Sequence, residues 1–180
     1  SVREAIQQLH AQGLVSVAAN RGASVRRLSK SEVTDLFVVR ERLEGLGAFL
    51  AAQHVKRATA SKPALGRLQA LVGRMGKVAA SQDALVYGKL NRELHRTLLD
   101  LSQNPELVRL VHRLSLPIFQ QQFRGFLQPD NQRTSHAQHE AIIAAVLDGD
   151  SRAAETAMRR HVRDGLRMVL QWPDENFAPE

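Results

Sequence analysis

The sequence predicts a mainly α protein, a six-helix antiparallel bundle preceded by a short helix-and-hairpin unit. Three observations carry that expectation. From Ser29 onward, apolar residues recur at spacings of three and four, with no alternating strand pattern. Helix-capping and helix-stopping residues punctuate this run at intervals of an ordinary helix length. The 180 residues, 43% hydrophobic and 24% charged, suffice for one buried core and a small appendage.

Taken in order, Ser1 and Glu4 read as the N-cap and capping box of a first helix. Val2, Ile6, Leu9 and His10 share one stripe of it, and Gly13 is its left-handed stop. Two β-like runs follow, Leu14 to Val17 and Ala23 to Arg26, with the turn signal Asn20-Arg21-Gly22 between them. A helix followed by a basic-tipped hairpin is the second half of a winged helix-turn-helix. Ser31 is the expected cap of a helix carrying Val33, Leu36, Phe37, Arg40, Leu43, Glu44, Leu46 and Leu50. Ser61 and Pro63 start the next, and Gln82 and Asp83 open a third that contains Leu90, Leu94, Leu98 and Leu101. Asn104-Pro105 starts a fourth, which Pro117 is expected to kink, with Phe119, Phe123 and Phe126 beyond it at helical spacing. A fifth runs from about Asn131 to Leu147 and stops at Gly149. Asp150 or Ser151 caps a sixth that continues to about Gln171. The expected division is 1–28 as the partial winged unit, 29–172 as the all-α domain, and 173–180 as a tail that frays.

Charge is concentrated at one end. The net charge is +7, of which residues 1–30 contribute +4 through Arg3, Arg21, Arg26, Arg27 and Lys30 against Glu4. A local basic cluster is the footprint of a polyanion contact. The 4% aromatic content argues against a stacking platform for single strands. No apolar run approaches the ~20 residues of a membrane helix. The absence of cysteine excludes thiolate metal sites and cysteine nucleophiles, and fits a cytoplasmic location.

Three of the seven histidines fall on the inward stripes of three different helices: His95, His139 and His161. Asn91 stands one turn before His95 on the same face. Bundles build metal sites at their centres from such residues, and three imidazoles with one amide oxygen suit Zn²⁺ or a similar divalent ion. Spacing alone leaves the alternative of histidines packed inertly in the core. His136 is a substitute ligand by spacing, though its expected place is the surface. Arg40 and Glu44, at i and i+4, read either as an intrahelical salt bridge or as an arginine aimed at an anionic ligand.

At this point the residues resemble a known family. Ser1 to Ile6, Leu9, Gly13-Leu14-Val15 and Asn20 to Ala23 resemble the recognition helix and wing of GntR-family transcription regulators. Val39-Arg40 with Leu43-Glu44, Leu90 to His95, Asn104-Pro105, His139 to Ile142, Gly149-Asp150 and Ala157 to His161 resemble the FCD effector domain of its FadR-like branch. Any one piece is weak, but six in order are specific. The resemblance implies a divalent metal held by three histidines, matching His95, His139 and His161, with Asn91 where an aspartate is usual. Zn²⁺ comes first, with Ni²⁺ or Mn²⁺ as alternatives, and a small carboxylate effector completes the shell. It further implies a cytoplasmic homodimer, not an enzyme, that binds double-stranded operator DNA through contacts such as Arg3 and Arg21. The family's two upstream helices are absent from this sequence, so DNA binding belongs to the full-length protein. A metal-free helical dimerisation or effector module is the alternative. A three-histidine metalloenzyme ranks behind both, because neither H-E-x-x-H nor E-x-x-H occurs and Glu140 is the only nearby base.

Overall fold

Residues 1–11, 13–18, 22–114 and 129–179 are described in the computed structural model. Helix α1 (Val2–Ala11) leads into a two-stranded antiparallel sheet, β1 (Val15–Ala18) and β2 (Gly22–Val25), paired in register from Val15↔Val25 to Ala18↔Gly22. Six helices follow: α2 (Lys30–Lys56), α3 (Lys62–Ser81), α4 (Ala84–Leu101), α5 (Pro105–Leu114), α6 (Pro129–Leu147) and α7 (Ser151–Leu170). The architecture is the expected helical bundle behind a helix and hairpin. Pro117 and the stripe Phe119, Phe123 and Phe126 lie outside the described residues, as do Asn20 and Arg21.

Most boundaries follow the sequence signals. Gly13 sits at φ +70° and closes α1 through its N–H to the His10 carbonyl. Ser61, Asp83, Asn104 and Asp150 each accept a backbone N–H at the start of their helices, satisfying donors that the first turn leaves without partners. Helix α2 begins one cap earlier than expected. Ser29, not Ser31, is its N-cap, because Glu32 stands three residues after Ser29 and closes the reciprocal capping box. The residue three beyond Ser31 is Thr34, which is not the Glu or Gln that a capping box requires.

The core lies between α2, α3, α4, α6 and α7, and α2 packs most extensively on α7. Small buried residues on α2 allow close approach on two sides, Gly45 toward α7 and Gly47 toward Leu99 of α4. A Cβ at Gly45 would stand 2.6 Å from the Arg159 Cγ. By contrast, α1 buries no residue and the hairpin is largely exposed, so the N-terminal unit meets the bundle through Leu14, Leu28 and the Arg26–Glu32 ion pair. Among the described residues, no helix is long and apolar enough to cross a membrane.

The tail expected to fray is instead packed. Asp174–Asn176 form a 3₁₀ turn, Phe177 is buried in the main core, and Ala178 N–H donates to the Leu28 carbonyl. Arg27 donates to the Glu175 carbonyl and Lys30 pairs with Asp174 at 2.5 Å. One buried aromatic ring supplies the apolar gain that anchors these polar contacts. The segment after α7 therefore fastens onto residues 27–30, where the hairpin joins α2.

Candidate metal centre

Helices α4, α6 and α7 bring His95, His139 and His161 to one point inside the bundle. One ring nitrogen from each lies within 4.8 Å of the others, and their ring centroids are 4.4–5.3 Å apart. His139 is fully buried, His161 nearly so, and the His95 side chain is 13% exposed. The His95 and His139 Nε2 atoms stand 3.2 Å apart. Two nitrogens bound tetrahedrally to Zn²⁺ at about 2.0–2.1 Å stand about 3.3–3.4 Å apart, so this pair already has a ligand spacing. The 4.8 Å limit for the whole group is wider, so the triad is gathered but not closed.

The outer nitrogens are tied down. The His95 Nδ1–H donates to Glu44 Oε2 at 2.6 Å, and the His161 Nδ1–H donates to Gln138 Oε1 at 2.9 Å. These tautomers follow from the partners, a carboxylate and an amide oxygen held by its own Nε2–H to Asp164 at 2.8 Å. With Nδ1 protonated, each ring turns a free Nε2 lone pair toward the centre. Such outer-shell acceptors are what orient metal-bound histidines. The His139 Nε2–H then donates to the His95 Nε2 without metal, which leaves the His139 Nδ1 buried and unpartnered. The Asn91 Oδ1 is also buried without a partner. An orphaned carbonyl oxygen one turn from His95 fits a fourth neutral oxygen ligand.

Burial and neighbouring charge keep the His139 and His161 rings neutral. Burial, then the neighbouring charges of His161, His95 and His136, hold the His139 pKa well below the usual histidine value. Burial and the His95 charge push His161 down to about 3. Glu44 is 2% exposed. Its burial raises the carboxyl pKa, but Arg40 and His95 outweigh that and hold it well below the usual carboxylate range. Arg40 donates to Glu44 at 2.7–2.9 Å and stacks 4.9 Å from the Phe37 ring centre. His139 and His161 thus offer neutral nitrogens at neutral pH, with the Arg40–Glu44 ion pair behind the centre.

The remaining site residues are placed as follows. Arg3 is exposed on α1, and Arg21 lies outside the described residues. His136, expected at the surface, has an 18% exposed side chain and a buried Nδ1, because α6 turns it against Gly76 of α3. It is not in the triad. Glu140, the candidate base of a metalloenzyme, has a 59% exposed side chain and faces His136 at 3.5 Å. A surface cleft lined by Arg67, Arg92, Glu93, Arg96, Thr97 and Asp100 contains no triad residue. Sequence reasoning missed Gln138 and Asp164 altogether and saw Glu44 only as a partner of Arg40. The available signal was a carboxylate set among Gly45, Gly47 and Ala48, where a face of small residues announces close packing.

Comparisons with known proteins agree with one another. The model of the FCD domain family matches residues 35–164. The Nta operon transcriptional regulator of Aminobacter aminovorans is 29% identical over 171 residues, covering 94% of this chain and 77% of that protein. A probable D-xylose utilization operon transcriptional repressor of Paenarthrobacter nicotinovorans is 27% identical over 162 residues, covering 89% and 68%. Among solved structures, E. coli McbR/YncC superposes with a TM-score of 0.81 at 18% identity, over 94% of this chain and 84% of that one.

Proposed function

Because this chain belongs to the FCD domain family, we propose that its bundle is the sensory part of a DNA-binding transcription regulator, reading a small organic acid at a metal-loaded centre. The family and the relatives are transcription regulators, not enzymes, and the related repressor named above gives the direction of regulation its precedent. In this reading residues 29–172 are the effector domain. Residues 1–28 are the end of a winged helix-turn-helix that meets operator DNA through Arg3 and Arg21 in a cytoplasmic homodimer.

The observation that carries the reading is the convergence of three imidazoles, two of which commit their outer N–H groups to Glu44 and Gln138. His95, His139, His161 and Asn91 would hold a divalent ion, Zn²⁺ first and Ni²⁺ or Mn²⁺ next. The ion would supply a Lewis-acidic position for a carboxylate. All four protein ligands are uncharged, so the anion is left to offset the ion's charge. Arg40, whose charge is felt at His161, would be the cation that grips the same carboxylate. Regulation requires that the acid favour one geometry of the paired DNA-binding heads over another, since a ligand without differential affinity shifts nothing.

The test is the metal content of the purified chain and of His139→Ala by elemental mass spectrometry, with thermal melts against small carboxylates. Near-stoichiometric metal, lost in the variant, with a carboxylate-dependent rise in Tm, is the expected result. No metal after reconstitution would refute the centre, and the bundle would then be a metal-free effector or dimerisation module.

A further inference from the structure

Away from the metal centre, positive charge gathers at the surface cleft where Arg67 of α3 faces Arg92, Arg96 and Asp100 of α4. The excess positive charge of residues 31–180 lies on these two helices. Residues 62–101 hold seven basic and three acidic side chains, and the remainder hold thirteen and fourteen. Helix α3 carries four basic residues and no acidic one. A field concentrated in this way draws anions, and a concave wall focuses it. The cleft encloses about 450 Å³, within the range of small-ligand sites.

The arginines here differ from those elsewhere on the bundle. On α7, Arg159, Arg160, Arg163 and Arg167 each meet the carboxylate of Glu41 or Asp164. In the cleft, Arg67 reaches across from α3 to Glu93 at 2.6 Å, and each compensates the other. Arg92 and Arg96 are exposed, one turn apart on one stripe of α4, and have no hydrogen bond or ion pair among the described residues. Asp100 stands one turn further along but does not pair with Arg96. Thr97 gives its hydroxyl hydrogen to the Glu93 carbonyl at 2.8 Å. The open donors are therefore guanidinium N–H groups, two free forks beside a third that is already engaged.

We propose that this cleft binds a phosphate group, as the free dianion or as the monoester of a small molecule. Planar guanidiniums meet phosphate oxygens in two-point fashion, and the dianion matches the two open charges of Arg92 and Arg96. The volume exceeds what one phosphate fills, and Asp100 is an acceptor for a hydroxyl on the part beyond it. A nucleic acid fits less well. It lays one phosphate after another along a basic track, and Glu93 and Asp100 interrupt this one. The site lies on the outer side of the helix whose inner side carries His95, and it stands whether or not the three histidines hold an ion.

Inorganic phosphate and glycerol phosphate are the probes, titrated into the nitrogen-15-labelled chain at constant ionic strength and followed by NMR. The expected result is saturable shifts of the Arg92 and Arg96 Nε–H signals and of nearby α4 amides, with a Kd of about 1 mM or tighter. Equal affinity for the two probes makes the free ion the ligand, and tighter glycerol phosphate binding makes it the ester. Arg92→Gln combined with Arg96→Gln should weaken binding at least about tenfold, read from the α4 amides. Its Tm without phosphate should stay within about 1 °C of the parent's, because neither side chain holds the fold together. His139→Ala should bind both probes as the parent does. Shifts that rise without a plateau, or an affinity unchanged in the double variant, would show a merely solvated charged face and overturn the proposal. A short DNA duplex that displaces the probes from Arg92 and Arg96 would overturn it too, by making the face a nucleic-acid contact.

Discussion

Replacing Glu44 by glutamine removes one charge from the interior and keeps the side-chain shape. In the native chain the carboxylate accepts from Arg40 on its own helix and from His95 on α4, with 2% of its surface exposed. Removing one member of a buried ion pair costs about 3–5 kcal/mol when the other is left uncompensated. Here the Arg40 side chain keeps 19% of its surface in solvent and glutamine keeps an acceptor, so about 2–3 kcal/mol is the reasoned loss. For a chain of this size that lowers Tm by about 4–12 °C. Glu44 also fixes the His95 ring, and losing such an outer-shell acceptor weakens metal binding by about 10–100-fold. Circular dichroism melts and competition with a chromophoric chelator measure the two effects separately. A second variant, Arg40→Met with Glu44→Leu, should recover much of the stability but none of the metal affinity. A Tm within about 1 °C of native together with unchanged metal affinity in Glu44→Gln would refute the assignment of both roles.

Three further outcomes follow from the same geometry. Asn91→Asp supplies the missing negative charge and should tighten metal binding about tenfold, read by chelator competition, because a charge-assisted ligand replaces a neutral one. The metal-free chain should lose stability as pH falls: His139 and His161 have folded pKa values below their unfolded value of 6.5, so the unfolded chain takes up protons first. The loss begins near pH 6.5 and continues toward pH 3 in urea melts, and a flat profile there would show that the rings are not buried neutral. Phe177→Ala should cost about 3 kcal/mol and speed hydrogen exchange at Ser29, with little change in metal content.

Much of the fold is legible in the sequence, since helix ends are written locally. Gly13, Asp83, Asn104 and Asp150 act on backbone groups three or four residues away, within the reach of a sequence pattern. Ser29 shows the limit, because two serines competed for one helix start and only the Glu32 side chain decided between them. Periodicity likewise put His95, His139 and His161 on inward faces, but no periodicity says that three faces meet. The contacts that complete the centre, Glu44 with His95 and Gln138 with His161, join residues 51 and 23 positions apart. They depend on how closely α2, α4, α6 and α7 approach. Phe177 escaped for the opposite reason, since one apolar residue in a polar, proline-flanked stretch has no repeat to announce it.

The clasp between residues 174–178 and residues 27–30 gives the bundle a mechanical property. Glu44 lies about 22 Å along α2 from Ser29, and His161 about 14 Å before the end of α7 at the helical rise. Both helices are rods that pass the centre and meet the same clasp, where α2 starts, α7 ends and the hairpin is attached. With axes about 8–10 Å apart, a slide of about 1 Å of one rod past the other turns their shared far end by about 6°. In the proposed reading, a carboxylate that drew His161 and Arg40 together would act on both rods at once. The hairpin, joined to the bundle through Leu14, the Arg26–Glu32 ion pair and this clasp, would then be a pointer at the end of a lever, and an ångström's shift at the proposed centre would change its bearing.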